Sequence, residues 1–555
     1  MSARNVYISR RNFMKAGAVA AAMASLGVPA MAAPAGEENC LWSNITPRRS
    51  TQYGPVVGLD QGESLVWYGI PYGAAPVGEL RWQAPQDPAV WTEAKDCTAP
   101  SEVAYQYGSG VIGTEDCLKL DVYTTPNAHK LPVLVFIHGG NNQTGNTKEI
   151  LGSELVVRDN CVFVTLDYRL GLFGFNCLPA FCSGPEETGN FALLDMAKAL
   201  DWVRDNIASF GGDPQNITVL GFAAGGRDGM ALLASPLFVG RFQKAISISG
   251  GMTCADENTS AETLAAALAP LAVQDGKALT EATARRWLLT EDPAVRSWLC
   301  GMDAARLAPL MANAGLRMSV FPHLYADGIT LPEGGYPAAQ YSEIPTLLLT
   351  GADEFNAAAR WDSWFSSEEA KRFSADELEA AKQFAATYGS ALCRVFSTRG
   401  SAAVIAARRD APLYLGQIEY GSSASKTQIP LLGSFQGIAL PMLSGSNPYF
   451  GWADLSGAGY QAMAEQLRAY LKNFITSGDP NGKKLLSGST RWQRWTPDSP
   501  ALLVLDADAD HATAQCTAQT ETKESLLAAM EADSTLSPAL KQAVIENVLK
   551  GRFFD

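Results

Sequence analysis

Apolar residues recur along the chain in two spacings, and these predict strands that alternate with helices. Short runs rich in β-branched and aromatic residues are typical of buried strands. We predict such strands at 131–137, 162–166, 216–220, 245–248, 345–349, 413–418 and 502–505. Between them, apolar residues at helical spacing mark amphipathic helices, for example Leu193, Met196, Leu200, Val203 and Ile207. This alternation predicts a central, mostly parallel sheet wrapped by helices.

Two segments depart from the alternation. Residues 256–314 are rich in Ala and helical in pattern, which indicates a helical insertion beside the sheet. Residues 516–555 are acidic and helix-prone without a strand signal, and we interpret them as a C-terminal helical tail. The intervening residues 33–515 are predicted to form one α/β domain.

The first 32 residues have the pattern of an export signal. Arg10 and Arg11 form a twin-arginine motif, followed by an apolar run at 16–28 and Ala30-Met31-Ala32 as the cleavage site. The run is too short and too weakly apolar to span a bilayer. We therefore expect a twin-arginine signal peptide over 1–32 and a mature chain in the periplasm, at the cell surface or outside the cell. No stable membrane anchor is expected.

The net charge of the chain limits the kinds of partner that it is expected to bind. The 555 residues carry a net charge of −14, and four positive charges lie in the leader, so the mature chain has −14 − 4 = −18. Such an acidic surface repels phosphate backbones, which argues against nucleic acid as a partner. The ten cysteines include no Cys-x-x-Cys pair. A zinc cluster is therefore not indicated, and we expect neither a metal nor a cofactor.

Seven short motifs follow one another along the chain. They are Gly-Ile-Pro-Tyr at 69–72 with Pro-Val-Gly-Glu-Leu-Arg-Trp at 76–82, and the motifs at 115–118, 138–140, 189–195, 210–214, 477–481 and 492–497. In this order they resemble the motifs of type-B carboxylesterases, the group that includes the cholinesterases. The resemblance implies an α/β-hydrolase fold with a Ser, acid and His triad in that chain order.

The resemblance also locates the three catalytic positions. The family's Gly-x-Ser-x-Gly turn reads Gly-Phe-Ala-Ala-Gly at 221–225, so that Ala223 stands at the nucleophile position. The acid position falls on Glu354, with Asp353 as the fallback, and Gln436 stands where the family has its His. Since a methyl group cannot attack a carbonyl and an amide is no base near neutral pH, we expect no intact triad.

None of the four histidines is a convincing substitute for the base. His138 belongs to the segment that resembles the oxyanion loop, and His323 precedes the acid in chain order. His129 and His511 lie in polar stretches.

Two other features are implied by the resemblance. The oxyanion hole is formed by backbone N–H groups, for which Gly140, Asn141 and Ala224 are the candidates. It would survive the loss of the triad, so the pocket could still bind a small ester-like or other neutral ligand. The segment 115–118 resembles the family's disulfide-bearing segment, which supports pairing Cys97 with Cys117.

Three functional hypotheses follow. The first is a non-catalytic, carboxylesterase-like protein that binds ligands or partners. The second is an active ester hydrolase that uses an unrecognised nucleophile, for which Ser247, Ser249 and Ser434 are possible hydroxyls. The third is a structural, adhesion-type module on the same fold. We favour the first because both Ala223 and Gln436 lack the necessary chemistry.

Overall fold

The computed structural model describes residues 47–108, 110–182, 188–310, 321–445 and 447–554, so the signal peptide predicted at 1–32 lies outside the described residues. The strands are β1 Arg48–Thr51, β2 Gly54–Val57, β3 Leu59–Asp60, β4 Leu65–Pro71, β5 Lys95–Asp96, β6 Gln106–Tyr107, β7 Val111–Ile112, β8 Lys119–Thr124, β9 Leu131–Ile137, β10 Val162–Leu166, β11 Gly212–Phe222, β12 Lys244–Ile248, β13 Thr346–Gly351, β14 Leu413–Ile418, β15 Ala501–Ala507 and β16 Ala512–Ala518.

Helices of several lengths connect and cover these strands. The α-helices are Gly152–Asp159, Gly171–Gly174, Pro179–Cys182, Phe191–Asn206, Ala224–Ala234, Glu257–Gln274, Glu281–Leu288, Pro293–Cys300, Ala304–Leu307, Asn356–Arg360, Ala375–Val395, Ser401–Ala406, Leu440–Ser444, Ala458–Ser477, Lys523–Ala532 and Pro538–Val544. Short 3-10 helices cover Gly78–Leu80, Ile207–Phe210, Pro236–Phe238, Tyr336–Ala338, Ser363–Ser366 and Ala370–Arg372, and π-helical turns cover Phe396–Gly400 and Ile545–Leu549.

One large sheet contains eleven of the strands, in the order β16-β15-β14-β13-β12-β11-β9-β10-β8-β4-β3. The seven strands from β15 to β10 in this order are parallel, and antiparallel strands close both edges. The chain runs from β9 to β10 on one side and then returns to place β11 on the other side of β9. Ligands of open α/β sheets bind at the carboxyl ends of strands at such a reversal.

The sheet confirms the prediction of a mostly parallel α/β fold with a helical insertion. The runs predicted at 131–137, 162–166 and 413–418 coincide with β9, β10 and β14, and the other four predicted runs overlap β11, β12, β13 and β15. The insertion consists of four helices between residues 257 and 307.

The prediction that no strand follows residue 515 was wrong. Strand β16 pairs antiparallel with β15 from Ala512 to Ala518 and forms an edge of the sheet. Its residues alternate between half-buried and exposed over most of its length. An edge strand with no fully buried position does not need an apolar run, and so the sequence carried little signal.

Apolar side chains cover both faces of the sheet, and one of the two layers encloses a buried ion pair. The Arg169 guanidinium donates to both carboxylate oxygens of Asp195, at 2.8 and 2.7 Å, and its backbone N–H donates to the same carboxylate at 3.1 Å. The two side chains are 2% and 0% exposed. The pair ties the segment after β10 to the helix Phe191–Asn206.

Replacing Asp195 with Asn is expected to destabilise the fold strongly. The change leaves a buried guanidinium without its counter-charge, which typically costs about 3–5 kcal/mol. Urea denaturation of the folded variant measures the loss. As a control, Arg204→Gln breaks the exposed contacts to Asp201 and Asp205 and should change stability by less than about 1 kcal/mol. Equal effects of the two variants would contradict this role of the buried pair.

Candidate active site

Strand β11 ends in a tight turn into the helix Ala224–Ala234, which we call the elbow helix. Ala223 occupies the turn with φ 50° and ψ −110°, a conformation that side-chain-bearing residues rarely adopt. Gly221 and Gly225 flank this turn and have no room for a side chain. A Cβ on Gly221 would lie 1.9 Å from the Gly225 oxygen. A Cβ on Gly225 would lie 2.1 Å from the oxygen of Ile137, at the end of β9. The strained strand-to-helix turn is therefore present, and it carries a methyl group.

Glu354 lies in the loop after β13 and is 6% exposed. Its Oε1 atom accepts hydrogen bonds from the Ser249 hydroxyl at 2.5 Å, the Gly351 N–H at 2.7 Å and the Thr350 hydroxyl at 2.8 Å. Its Oε2 atom has no hydrogen-bond partner among the described residues. Burial raises the pKa of Glu354. One carboxylate oxygen is thus fixed, whereas the other is left for a further donor.

Gln436 is half-buried. Its loop contacts the loop after β13, which carries Asp353 and Glu354 and which we call the acid loop, and also the end of β11 that leads into the elbow helix. On one side, the Asp353 N–H donates to the Ser434 oxygen at 2.9 Å, and Asp353 Oδ2 accepts the Ser434 N–H at 3.1 Å. On the other side, a Cβ on Gly437 would lie 3.3 Å from Cζ of Phe222. Asp353 therefore fastens this loop, while Glu354 is the carboxylate with an unpartnered oxygen.

Hydrogen bonds and close contacts connect the loops that carry Ala223, Glu354 and Gln436. The Ala223 N–H donates to the oxygen of Ile248 at 2.9 Å, and the next residue, Ser249, donates its hydroxyl to Glu354. The contacts of Ser434 and Gly437 add Gln436 to the same loop cluster. Ser249 has φ 55° and was not foreseen as a partner of the acid.

The loop after β9 supplies backbone donors beside the elbow. Gly140 and Asn141 have φ of 98° and 56°, and their N–H groups make no hydrogen bond to another described residue. The same holds for the N–H of Ala224, in the first turn of the elbow helix, where N–H groups lack helical acceptors. By contrast, the Gly139 N–H is taken by Glu149 Oε2 at 2.7 Å. The three candidate oxyanion donors are therefore available.

Two buried charged residues in the elbow helix support the oxyanion loop. Arg227 and Asp228 are 3% and 0% exposed. Arg227 Nη2 donates to Asn141 Oδ1 at 2.7 Å, and Asp228 Oδ1 accepts from Asn142 Nδ2 at 2.8 Å. Burial lowers the pKa of Arg227 to about 10 and raises the pKa of Asp228 to about 7. Sequence analysis missed both, although an adjacent Arg and Asp in an otherwise apolar helix was a usable signal.

The four histidines differ in burial and in their contacts. His138 Nδ1 lies 2.8 Å from the Gly139 oxygen, and burial lowers the pKa of His138 to about 4. His323 is buried, whereas His129 and His511 are exposed. Within the described part of the chain, no hydrogen bond joins any of the four to Glu354.

The predicted disulfide between Cys97 and Cys117 was wrong, since both residues are buried free thiols. The Cys97 oxygen accepts from the Tyr68 N–H, whereas the oxygen of Leu118, next to Cys117, accepts from the Tyr72 N–H. The backbone at Cys97 and the backbone beside Cys117 thus pair with different positions along β4 and its continuation.

Across the residues that the structure describes, no group of His, Cys, Asp and Glu side chains is placed to hold a metal ion. No helix in the same part of the chain has the length and apolar character needed to cross a membrane. Two small cavities are lined by residues such as Tyr105 and Phe173, and neither is lined by Ala223, Glu354 or Gln436.

Replacing Asp228 with Asn is expected to remove a pH-dependent penalty on folding. Between the ordinary Asp pKa of 3.8 and about 7, the folded protein keeps the Asp228 proton, while the unfolded chain has lost it. Stability therefore falls as pH rises through this interval, by up to about 1.4 kcal/mol per pH unit, and levels off above it. As the pH rises from 4 to 7, the melting temperature of Asp228→Asn should rise relative to that of the unaltered protein. A difference independent of pH would contradict the assignment.

Comparisons with known proteins identify the family and the signal sequence that this chain matches. Residues 45–283 match the carboxylesterase family, and residues 8–27 match the signal sequence of the twin-arginine translocation pathway. The second match confirms that the protein is exported, consistent with a periplasmic or extracellular location.

Several curated relatives with matching sequences are named as esterases or carboxylesterases. Para-nitrobenzyl esterase of Bacillus subtilis (strain 168) is 43% identical over 239 residues, which are 41% of this chain and 48% of that protein. Liver carboxylesterase 1 of Oryctolagus cuniculus is 39% identical over 207 residues, 33% of this chain and 35% of that protein. The chain thus spans about half or less of the length of these curated relatives.

Solved structures match over a greater length. A PNB esterase aligns with a TM-score of 0.65 and 26% identity over 87% of this chain and 100% of its own. A carboxylesterase of Geobacillus stearothermophilus aligns with a TM-score of 0.66 and 25% identity over 84% of this chain and 97% of its own. These matches confirm the α/β-hydrolase fold. The chain therefore carries a carboxylesterase-family domain, homologous to type-B carboxylesterases such as para-nitrobenzyl esterase and the liver carboxylesterases.

Proposed function

We propose that this exported protein does not hydrolyse esters through the family's triad and instead binds a small carbonyl-bearing ligand without cleaving it. The observation that carries the proposal is Ala223, whose methyl group occupies the turn where a nucleophile is needed. A methyl group has no lone pair, and no acyl-enzyme can form on it. The esterase activity implied by the relatives' names is therefore not carried over to this chain.

The base position supports the same conclusion. The nitrogen lone pair of the Gln436 side chain is delocalised into its carbonyl, and an amide does not accept a proton near neutral pH. The unpartnered Oε2 of Glu354 is the acceptor that an imidazole N–H at position 436 would use in a triad. Two of the three groups are thus chemically absent, while the third remains oriented.

Ligand binding is proposed because the donors for a carbonyl oxygen remain. The N–H groups of Gly140, Asn141 and Ala224 have no partner in the described residues, and the first turn of the elbow helix adds its positive dipole end. The acidic surface disfavours anionic ligands at long range. A neutral ester or a similar neutral carbonyl compound is therefore the proposed ligand class.

One contact favours an alternative, an esterase that uses a different serine. The Ser249 hydroxyl donates to Glu354 at 2.5 Å, which gives a nucleophile type paired directly with a carboxylate. Ser247 and Ser434, by contrast, donate to the backbone oxygens of Gly226 and Ile418. We favour the non-catalytic function because Ser249 is 3% exposed and a carboxylate is too weak a base to ionise an alcohol.

Restoring hydrolysis is expected to require both Ala223→Ser and Gln436→His. A serine without a base is an ordinary alcohol, and a histidine without a nucleophile has no proton to remove, because triad members act as a unit. With p-nitrophenyl acetate and butyrate as substrates, each single variant should stay near the parent. The double variant should exceed both by at least about 10²-fold in kcat/KM.

Two further changes in the double variant test the acid. Glu354→Gln should lower its activity again, whereas Asp353→Asn keeps an acceptor for the Ser434 N–H and should have little effect. The proposal fails if the unaltered protein already turns over like an ordinary esterase. It also fails if either single variant matches the double variant.

A further inference from the structure

The last described residues, Arg552, Phe553 and Phe554, are buried against the loops that carry the site. They are 5%, 6% and 3% exposed. They contact the loop after β13 and the elbow helix that follows β11, and Phe396 connects them to the loop after β12. These three adjacent parallel strands place their carboxyl ends at one edge of the sheet. This is the edge where ligands of open α/β sheets bind. The chain's own C-terminal segment therefore lies where an external ligand is expected.

The first anchor holds the segment to the acid loop. Arg552 forms a buried ion pair with Asp362, and its guanidinium lies over the ring of Phe355 at 5.1 Å. Phe554 meets the same ring edge to face, with centroids 5.2 Å apart. Phe355 directly follows Glu354 in sequence.

The second anchor reaches the oxyanion loop. The Arg227 guanidinium lies over the ring of Phe553 at 4.9 Å, while its Nη2 donates to Asn141. Nε and Nη1 of Arg227 have no hydrogen-bond partner among the described residues. The electron-rich face of the Phe553 ring therefore stabilises the positive charge of this buried guanidinium. The ring and the oxyanion donor are linked through one side chain.

The third contact fills the space beside the loop after β12. Phe553 packs on Phe396 with centroids 5.6 Å apart. A Cβ on Gly251 would lie only 2.0 Å from Phe396 Cε1, so that this ring is pressed against the backbone two residues beyond Ser249. Phe553 is thus connected to the loop after β12 through Phe396.

We propose that residues 552–554 act as a built-in ligand that occupies the site edge between Phe355 and Arg227 and competes with external ligands. The receptor surface consists of Arg227, Phe355, Phe396 and Asp362, and it recognises a basic residue followed by two aromatic residues. The blocking role rests on the proposed function, because it treats this edge as the ligand site. The recognition of the segment does not depend on it.

A peptide supplied in trans tests the recognition. A fluorescein-labelled peptide of residues 546–555 is titrated by fluorescence polarisation onto the unaltered protein and onto full-length Phe553→Ala/Phe554→Ala. Binding to the variant should be at least tenfold tighter, because in the unaltered protein the attached tail competes at an effective concentration on the order of millimolar. A peptide with both Phe replaced by Ala should not bind.

A matched control separates the loss of the tail's rings from a general loosening of the core cluster that contains Phe355, Trp364, Phe553 and Phe554. Phe365 packs on Trp364 in that cluster, and Phe365→Ala should leave peptide binding as weak as in the unaltered protein. Equal binding to all proteins, or none to a cooperatively melting double variant, overturns the proposal. If the double variant does not fold, hydrogen exchange decides on the unaltered protein. Backbone amides of residues 552–554 should then exchange at least tenfold more slowly than in the free peptide, and free-peptide rates overturn the proposal.

Blocking is tested in the catalytically restored background. Added to Ala223→Ser/Gln436→His, the two Phe→Ala changes should raise kcat/KM for p-nitrophenyl butyrate at least tenfold, and Phe365→Ala should not. If the restored protein is active but indifferent to the tail, the blocking role is wrong. If it is inactive while the peptide still binds as expected, the fault lies in the proposed function, and recognition of the tail stands.

Discussion

The backbone junction at the end of β11 is the constraint on which the site depends. Gly221 and Gly225 come so close to neighbouring carbonyl oxygens that neither has room for a side chain, and Gly225 abuts the end of β9. This packing holds Ala223 at positive φ and brings the elbow helix against the oxyanion loop. None of these contacts involves a hydroxyl at position 223. The turn can therefore keep its conformation with Ala at position 223, because the steric fit of the two glycines, and not the side chain at 223, maintains it.

Burial shifts the pKa values of the ionisable groups around the elbow. Glu354, Asp228 and Arg227 all lie in surroundings where the charged form is penalised. Each is held by specific partners: Glu354 by Ser249 and the β13 loop, Asp228 by Asn142, and Arg227 by Asn141 and the Phe553 ring. The result is an ordered polar layer behind the oxyanion donors. In this chain the layer contacts the C-terminal segment, because Arg227 lies over the ring of Phe553.

Much of the fold could be predicted from local sequence, whereas much of the site could not. Buried parallel strands such as β9 and β10 are continuous apolar runs, so their bounds followed directly from the sequence. The edge strand β16 lacked such a run. The positions of Ala223, Glu354 and Gln436 came from ordered motifs, and the loops that carry them do converge. Pairings between distant segments, such as Ser249 with Glu354 and Arg227 with Phe553, escaped prediction because they depend on tertiary distances that no local pattern encodes. The free thiols of Cys97 and Cys117 were not predicted either.

The central claim is that no activated serine exists in the mature protein, and covalent labelling tests it most directly. Purified mature protein is incubated with excess fluorophosphonate probe, and its intact mass is recorded. Such probes need an activated serine oxygen. The mass reports on this protein alone, so a contaminating hydrolase does not affect the result. We predict no adduct on the unaltered protein and a single adduct on Ala223→Ser/Gln436→His. Stoichiometric labelling of the unaltered protein, mapped to Ser249 or any other serine, would contradict the account.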